Sequence, residues 1–139
     1  MPLHNSKFGI APALPLRPDK QDGHYALTKN LSENTAQNLK HLILTSPGER
    51  MMDISFGVGL RNYVFEQNDA ITREQISEAI SEQVSKYLPY VNINEIIFTE
   101  LDEALLSSEI EKGNTMGVRI VYNITGDFYG ESNILDVTF

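Results

Sequence analysis

The sequence predicts an α+β domain, with two or three helices packed on one face of a small, mainly antiparallel sheet. Three observations carry this. Up to Tyr87, apolar residues recur every three to four positions. From Val91 onward the period shortens to two. Pro47-Gly48 and Pro89 interrupt the helical stretches, because the residue before a proline is driven out of the helical region. Helices first and strands afterwards is the order of segregated layers.

The elements follow in chain order. Residues 1–24 hold four of the six prolines, Pro2, Pro12, Pro15 and Pro18. Proline fixes φ and lacks the amide donor, so this stretch is expected to be an extended arm, followed by one domain over 25–139. The arm carries Phe8, Ile10, Leu14 and Leu16, which either pack back on their own domain or lie along a partner. "HYALTKN" suits a short strand. "NLSENTAQNLKHLILT" places Ala36, Leu39, Leu42 and Ile43 at helical spacing, with Ser32 or Asn34 as candidate caps. A short helix is expected over Gly59–Phe65, with Leu60, Tyr63 and Val64 inward. Thr72-Arg73-Glu74-Gln75 has the capping-box pattern, and Ile76, Ile80, Val84 and Tyr87 or Leu88 repeat after it. "VNINEIIFTEL" predicts a strand with Val91, Ile93 and Glu95 on one side. "MGVRIVYNIT" alternates Val118, Ile120, Tyr122 and Ile124 against Arg119, Val121 and Asn123. "SNILDVTF" predicts a last strand. That strand either lies centrally in the sheet or leaves an edge; an edge would offer unpaired backbone groups to another chain, and Asp136 is the one charge after Glu131 to discourage that.

Composition narrows the function. The 139 residues suit one domain that can bury a core without staples. There is no Cys, so disulfides, thiolate metal sites and Cys nucleophiles are out, and a reducing compartment fits. Nineteen acidic against eleven basic residues give a charge of −8, and the cations are scattered, so no nucleic acid is expected as partner. Apolar runs are too short for a membrane span, and the start does not have the form of a secretory signal.

Chemistry-bearing groups are sparse. Glu49 and Glu66 flank one loop and offer the two carboxylates of a glycosidase pair, but Glu49 has Arg50 beside it as a competing partner. His4, His24 and His41 share no ligand spacing, so no metal or cofactor is expected. No nucleophile elbow anchors a Ser–His–Asp triad. Gly57-x-Gly59 lacks the third glycine of a dinucleotide fingerprint, which favours a turn or close packing. No small-molecule substrate is implied. Asn30-Leu-Ser32 and Asn123-Ile-Thr125 match the glycosylation sequon without a secretory context. Pro47-Gly48-Glu49-Arg50 is either a helix stop followed by a charged surface turn or a recognition element. In the second case Pro-Gly presets the backbone and Arg offers a planar fork for a carboxylate.

The stretch from Gln37 to Glu66, "QNLKHLILTSPGERMMDISFGVGLRNYVFE", resembles the signature of the baseplate wedge (sheath initiator) family of contractile-tailed phages. The family also includes components of type VI secretion systems and contractile bacteriocins. Thr45, Pro47, Gly48, Glu49, Arg50, Phe56, Gly57, Gly59, Leu60, Phe65 and Glu66 carry the resemblance. Asp53-Ile54 departs from it, since many members have a proline there. The resemblance implies a structural protein of the virion tail baseplate, assembled in the host cytoplasm. Pro47, Gly48, Glu49, Arg50, Phe56, Gly57 and Leu60 would contact other wedge subunits. A sheet like the handshake domain of the sheath protein would receive strands from the tail sheath protein. Val118, Ile120, Tyr122, Leu135, Val137 and Phe139 would set that addition. The tail tube would lie nearby. Some members carry a lysozyme label, which these residues do not support. The enzymatic alternative is a small peptidoglycan hydrolase using Glu49 or Glu66.

Overall fold

A computed structural model describes residues 9–67, 69–100, 116–125 and 132–138. The chain divides into two compact units, Met1–Leu39 and Lys40–Phe139.

In the first unit, strands β1 (Ala11–Pro12) and β2 (Leu27–Thr28) pair antiparallel, with Ala11 opposite Thr28. The proline-rich stretch is thus tied down by hydrogen bonds. The Ala13 amide donates to the Ala26 carbonyl at 2.9 Å, and the Gln37 side chain holds both the Pro12 carbonyl (3.0 Å) and the Leu14 amide (2.9 Å). Ala13 is buried, while Ile10, Leu14 and Leu16 face solvent, and Phe8 lies outside the described residues. Asp22 pairs with Lys29 at 2.7 Å and accepts from the Leu27 amide. That contact with Lys29 holds its carboxyl below the ordinary Asp value.

Helix α1 (Leu31–Leu44) begins at least two residues earlier than the candidate caps require. Its first described backbone bond runs from the Asn34 amide to the Asn30 carbonyl, so Ser32 and Asn34 lie inside the helix. The Asn34 side chain instead faces Thr28, whose hydroxyl lies 3.5 Å away.

The second unit contains the end of α1, a loop, a 3-10 turn (Leu60–Tyr63), α2 (Ala70–Tyr87) and the sheet β3 (Val91–Glu100), β4 (Met116–Ile124) and β5 (Asn133–Thr138). Asp69, not Thr72, caps α2: its carboxylate accepts from the Thr72 amide at 2.8 Å, and Thr72 is buried in the first turn. Asp69 stands three residues before Thr72, where its carboxylate reaches the Thr72 amide, while the Thr72 side chain is buried. Ile76, Ile80 and Val84 form the buried stripe of α2, and Leu88 caps the helix before Pro89.

The sheet is antiparallel in the order β3-β4-β5. Val118, Ile120, Tyr122 and Ile124 are buried on one face, as their alternation predicts. The reading of β3 needs a correction. Register shifts between Ile93 and Glu95, so Ile93 lies opposite Tyr122 and Glu95 opposite Val121. The bulge admits Asn94 as an extra residue and turns Glu95 to the outer face, leaving Ile96 and Phe98 opposite the buried Ile120 and Val118. A strict period of two would have buried Glu95 and exposed Ile96; one extra residue reverses both.

Candidate functional site

The loop after α1 is built around two glycines. Gly57 has φ +107°, and a Cβ there would collide with the Thr45 carbonyl. Gly59 has φ +68°, with a Cβ meeting the Pro47 ring and the Ser46 Cα, each at 3.0 Å. The Phe-Gly-x-Gly strip therefore lies directly against Thr45–Pro47, an approach that side chains forbid. Between the glycines, the Val58 amide donates to the Leu42 carbonyl at 3.0 Å, capping an acceptor freed at the end of α1. Val58 and Leu60 are buried beneath. The close-packing reading of Gly57-x-Gly59 describes this geometry.

The last turns of α2 clip the loop from the other side. Gln83 accepts from the Gly57 amide at 3.0 Å and donates to the Ser55 carbonyl at 3.2 Å. Lys86 donates to the Ser55 hydroxyl (2.9 Å), which donates to Asp53 (3.0 Å) and lies 3.1 Å from the Tyr87 hydroxyl. Tyr87, then Ser55, holds the Asp53 carboxyl below the usual value. Tyr87, and after it the Asp53 charge, holds Lys86 above its own. Lys86 is thus a charged donor, and Ser55 has its proton committed to Asp53. A Ser–Lys pair in this state lacks the base that a nucleophilic serine needs.

Glu49 and Arg50 do not form the ion pair their adjacency suggests. The Glu49 carboxylate turns back and accepts from the Ser46 amide at 3.1 Å, closing the turn that Gly48 makes with φ +94°. Arg50 lies over the Phe56 ring, 3.6 Å from its centroid. Phe56 in turn meets Tyr87 edge-to-face at 4.9 Å and 68°. Pro47, Gly48, Glu49 and Arg50 are exposed, whereas Phe56, Gly57 and Leu60 are buried packing residues of this chain. Composition did not flag the exposed apolar tip: Met51 is 92%, Met52 99% and Ile54 69% exposed, with Phe65 at 95% nearby in sequence. Their position right after Pro-Gly, in a run without helical or strand period, was the available signal.

The sheet sorts the other expected residues. β4 has a neighbour on each side, so Val118, Ile120 and Tyr122 sit in the packed interior and offer no free backbone edge. Among the described residues the edges are β3 and β5. Leu135 and Val137 lie opposite Ile120 and Val118 on the inner face of β5, and Phe139 falls outside the described residues. On the outer face, Arg119 grips Asp136 through two bonds of 2.7 and 3.1 Å. This pairing holds Asp136 below its ordinary value and Arg119 above it.

Other sites are weaker. A cleft of about 340 Å³ between the end of α2 and the start of β3, walled by Val84, Pro89, Val91 and Asn92, contains no titratable side chain. Among the described residues no three His, Asp or Glu converge as metal ligands, and no helix is long and apolar enough to cross a membrane.

The chain thus joins a glycine-stapled loop with an exposed charged and apolar tip to an α+β domain whose sheet, among the described residues, ends in β3 and β5. Residues 29–127 match the family model described as baseplate wedge protein gp25, and the chain belongs to that family of structural baseplate proteins. Two solved structures share the fold. One is a chain in the cryo-EM structure of the anti-feeding prophage baseplate, with 24% identity, TM-score 0.67, and 86% of this chain and 88% of that one covered. The other is a Geobacter sulfurreducens protein provisionally described as a tail lysozyme, with 18% identity, TM-score 0.64, and 82% and 94% covered. Comparison with curated proteins gives no match.

Proposed function

We propose that this chain is a baseplate wedge subunit of a phage or phage-like contractile tail, which docks on another wedge subunit through residues 46–56 and initiates the sheath by strand addition. The exposed tip carries the docking half: Arg50 and three large apolar side chains face solvent on a loop held at several points by Gln83, Lys86 and the end of α1. Holding a loop before it binds lowers the entropy lost on docking. Pro47, Gly48 and Glu49 shape the approach, and Phe56, Gly57 and Leu60 act from beneath it. The likeness to a chain of the anti-feeding prophage baseplate supports the baseplate setting; assembly in the host cytoplasm and a tail tube close by belong to the proposal alone.

Strand addition belongs to β5. In an antiparallel pair alternate backbone groups point away from the partner, so the outer side of β5 offers donors and acceptors. Asp136, the charge that should discourage pairing there, is engaged by Arg119. Leu135 and Val137, with Phe139 beyond them, would set the register of the sheath strand.

Arg50→Ala is expected to give soluble protein with an unchanged circular dichroism spectrum that forms no baseplates under the electron microscope. Normal particles from that variant overturn the docking half. In hydrogen exchange, β5 amides that do not bond β4 are expected to exchange freely in the isolated subunit and slowly in the assembled tail. Equal exchange in both states overturns the sheath half.

A further inference from the structure

Arg50 rests on an aromatic ring and is open to solvent at the same time. Contact at 3.6 Å with the Phe56 ring centroid covers one face of the exposed guanidinium, and a planar fork covered on a face keeps its in-plane N–H groups available for a carboxylate. Phe56 cannot easily swing away, since Tyr87 braces its edge. Among the described residues, no acceptor meets those N–H groups. The nearest acids in sequence are taken: Glu49 by the Ser46 amide, and Asp53 by Ser55, Tyr87 and Lys86. This is notable in a chain with nineteen acids and eleven bases. Beside this open fork stand Met51, Met52 and Ile54, all largely exposed.

We infer that the surface received by this loop presents an aspartate or glutamate carboxylate, taken edge-on by the Arg50 fork and flanked by apolar side chains that cover Met51, Met52 and Ile54. The inference rests on the docking reading above and names the chemistry of its partner. A carboxylate matches the planar fork with two parallel bonds. The apolar flank excludes water and so strengthens them. A polyphosphate or nucleic acid fits poorly: Lys86, the cation that reaches the loop from α2, is engaged by Ser55, and the chain's charge of −8 repels a polyanion. Methionine suits the flank because its unbranched side chain adapts to an irregular surface.

The chain has no cysteine, so Met52→Cys carries a single benzophenone label at the tip. In assembled baseplates, the label is expected to cross-link to one other subunit, at a segment with an acidic residue among apolar ones. Arg50→Lys retains the charge and loses the fork, and is expected to lower assembly on the order of tenfold. Arg50→Glu is expected to abolish assembly, and exchanging the cross-linked acid for arginine to restore it. A cross-linked segment without an acid, an Arg50→Lys variant that assembles fully, or an Arg50→Glu defect that no such exchange repairs each overturns the carboxylate. No cross-link to any other subunit overturns the docking reading itself, a different failure.

Discussion

Gly57→Ala separates two burdens that the loop places on a side chain, and Gly48→Ala carries only one of them. Both glycines have positive φ, +107° and +94°. An L-residue there is strained by roughly 1–2 kcal/mol, offset by about 0.5–1 kcal/mol from a stiffer unfolded chain. At Gly48 nothing lies within reach of the new methyl, so the net loss should stay near or below about 1 kcal/mol. At Gly57 the methyl runs into the Thr45 carbonyl, and neither backbone can yield cheaply. Relief requires the loop to lift, which breaks the bonds from the Gly57 amide to Gln83 and from the Val58 amide to Leu42. At about 1 kcal/mol each, they bring the expected loss to roughly 3 kcal/mol, a large share of a domain's net stability. Urea denaturation followed by circular dichroism should place the two midpoints about 1 M apart, given slopes of roughly 1–3 kcal/mol/M. Equal midpoints for the two variants would mean that the glycine strip does not press on Thr45, and the account of the motif would fail.

Three further expectations follow from the same geometry. Asp22, Asp53 and Asp69 are all held below the ordinary Asp value of 3.8, by Lys29, Tyr87 and the Thr72 amide respectively. The unfolded chain therefore binds protons first, so their stabilisation is complete above that value and fades as pH falls through the folded pKa values. Urea midpoints should be level near neutrality and drop in acid, with a shallower drop in Asp69→Asn; an identical acid profile in that variant counts against the cap. Deleting Asn94 should leave Ile93, Ile96 and Phe98 on the inner face, because the bulge residue has no partner on β4. Retained circular dichroism is expected, and an unfolded deletion variant refutes the register. Pure protein should leave peptidoglycan turbidity unchanged; clearing that Glu49→Gln abolishes would favour the hydrolase.

Much of the fold is legible because its signals are local. Ile76, Ile80 and Val84 declare a helix within three turns, and Val118, Ile120 and Tyr122 declare a strand within five residues. The failures are local rules overruled at a distance. Thr72 has the residues of a cap, but the core needs its side chain and Asp69 caps instead. Glu95 has the parity of an inward residue, but pairing with β4 admits a bulge. At the loop, the glycines and the Pro-Gly turn are recognisable, while the exposed Met51, Met52 and Ile54 pass unnoticed because apolar residues are ordinarily counted toward a core.

By itself the sequence determines the order and kind of elements, their stops, the acidic charge, the absence of cysteine chemistry, and a 30-residue signature from Gln37 to Glu66. Only the tertiary structure decides who partners whom. It turns Glu49 toward Ser46 and lays Arg50 on Phe56, places Gln83 against Gly57 across 26 residues, and makes β4 the inner strand, with β3 and β5 as the edges among the described residues. Propensity and periodicity act over a few neighbouring residues, but an ion's partner or a strand's neighbour depends on where the whole chain has travelled before the two groups meet.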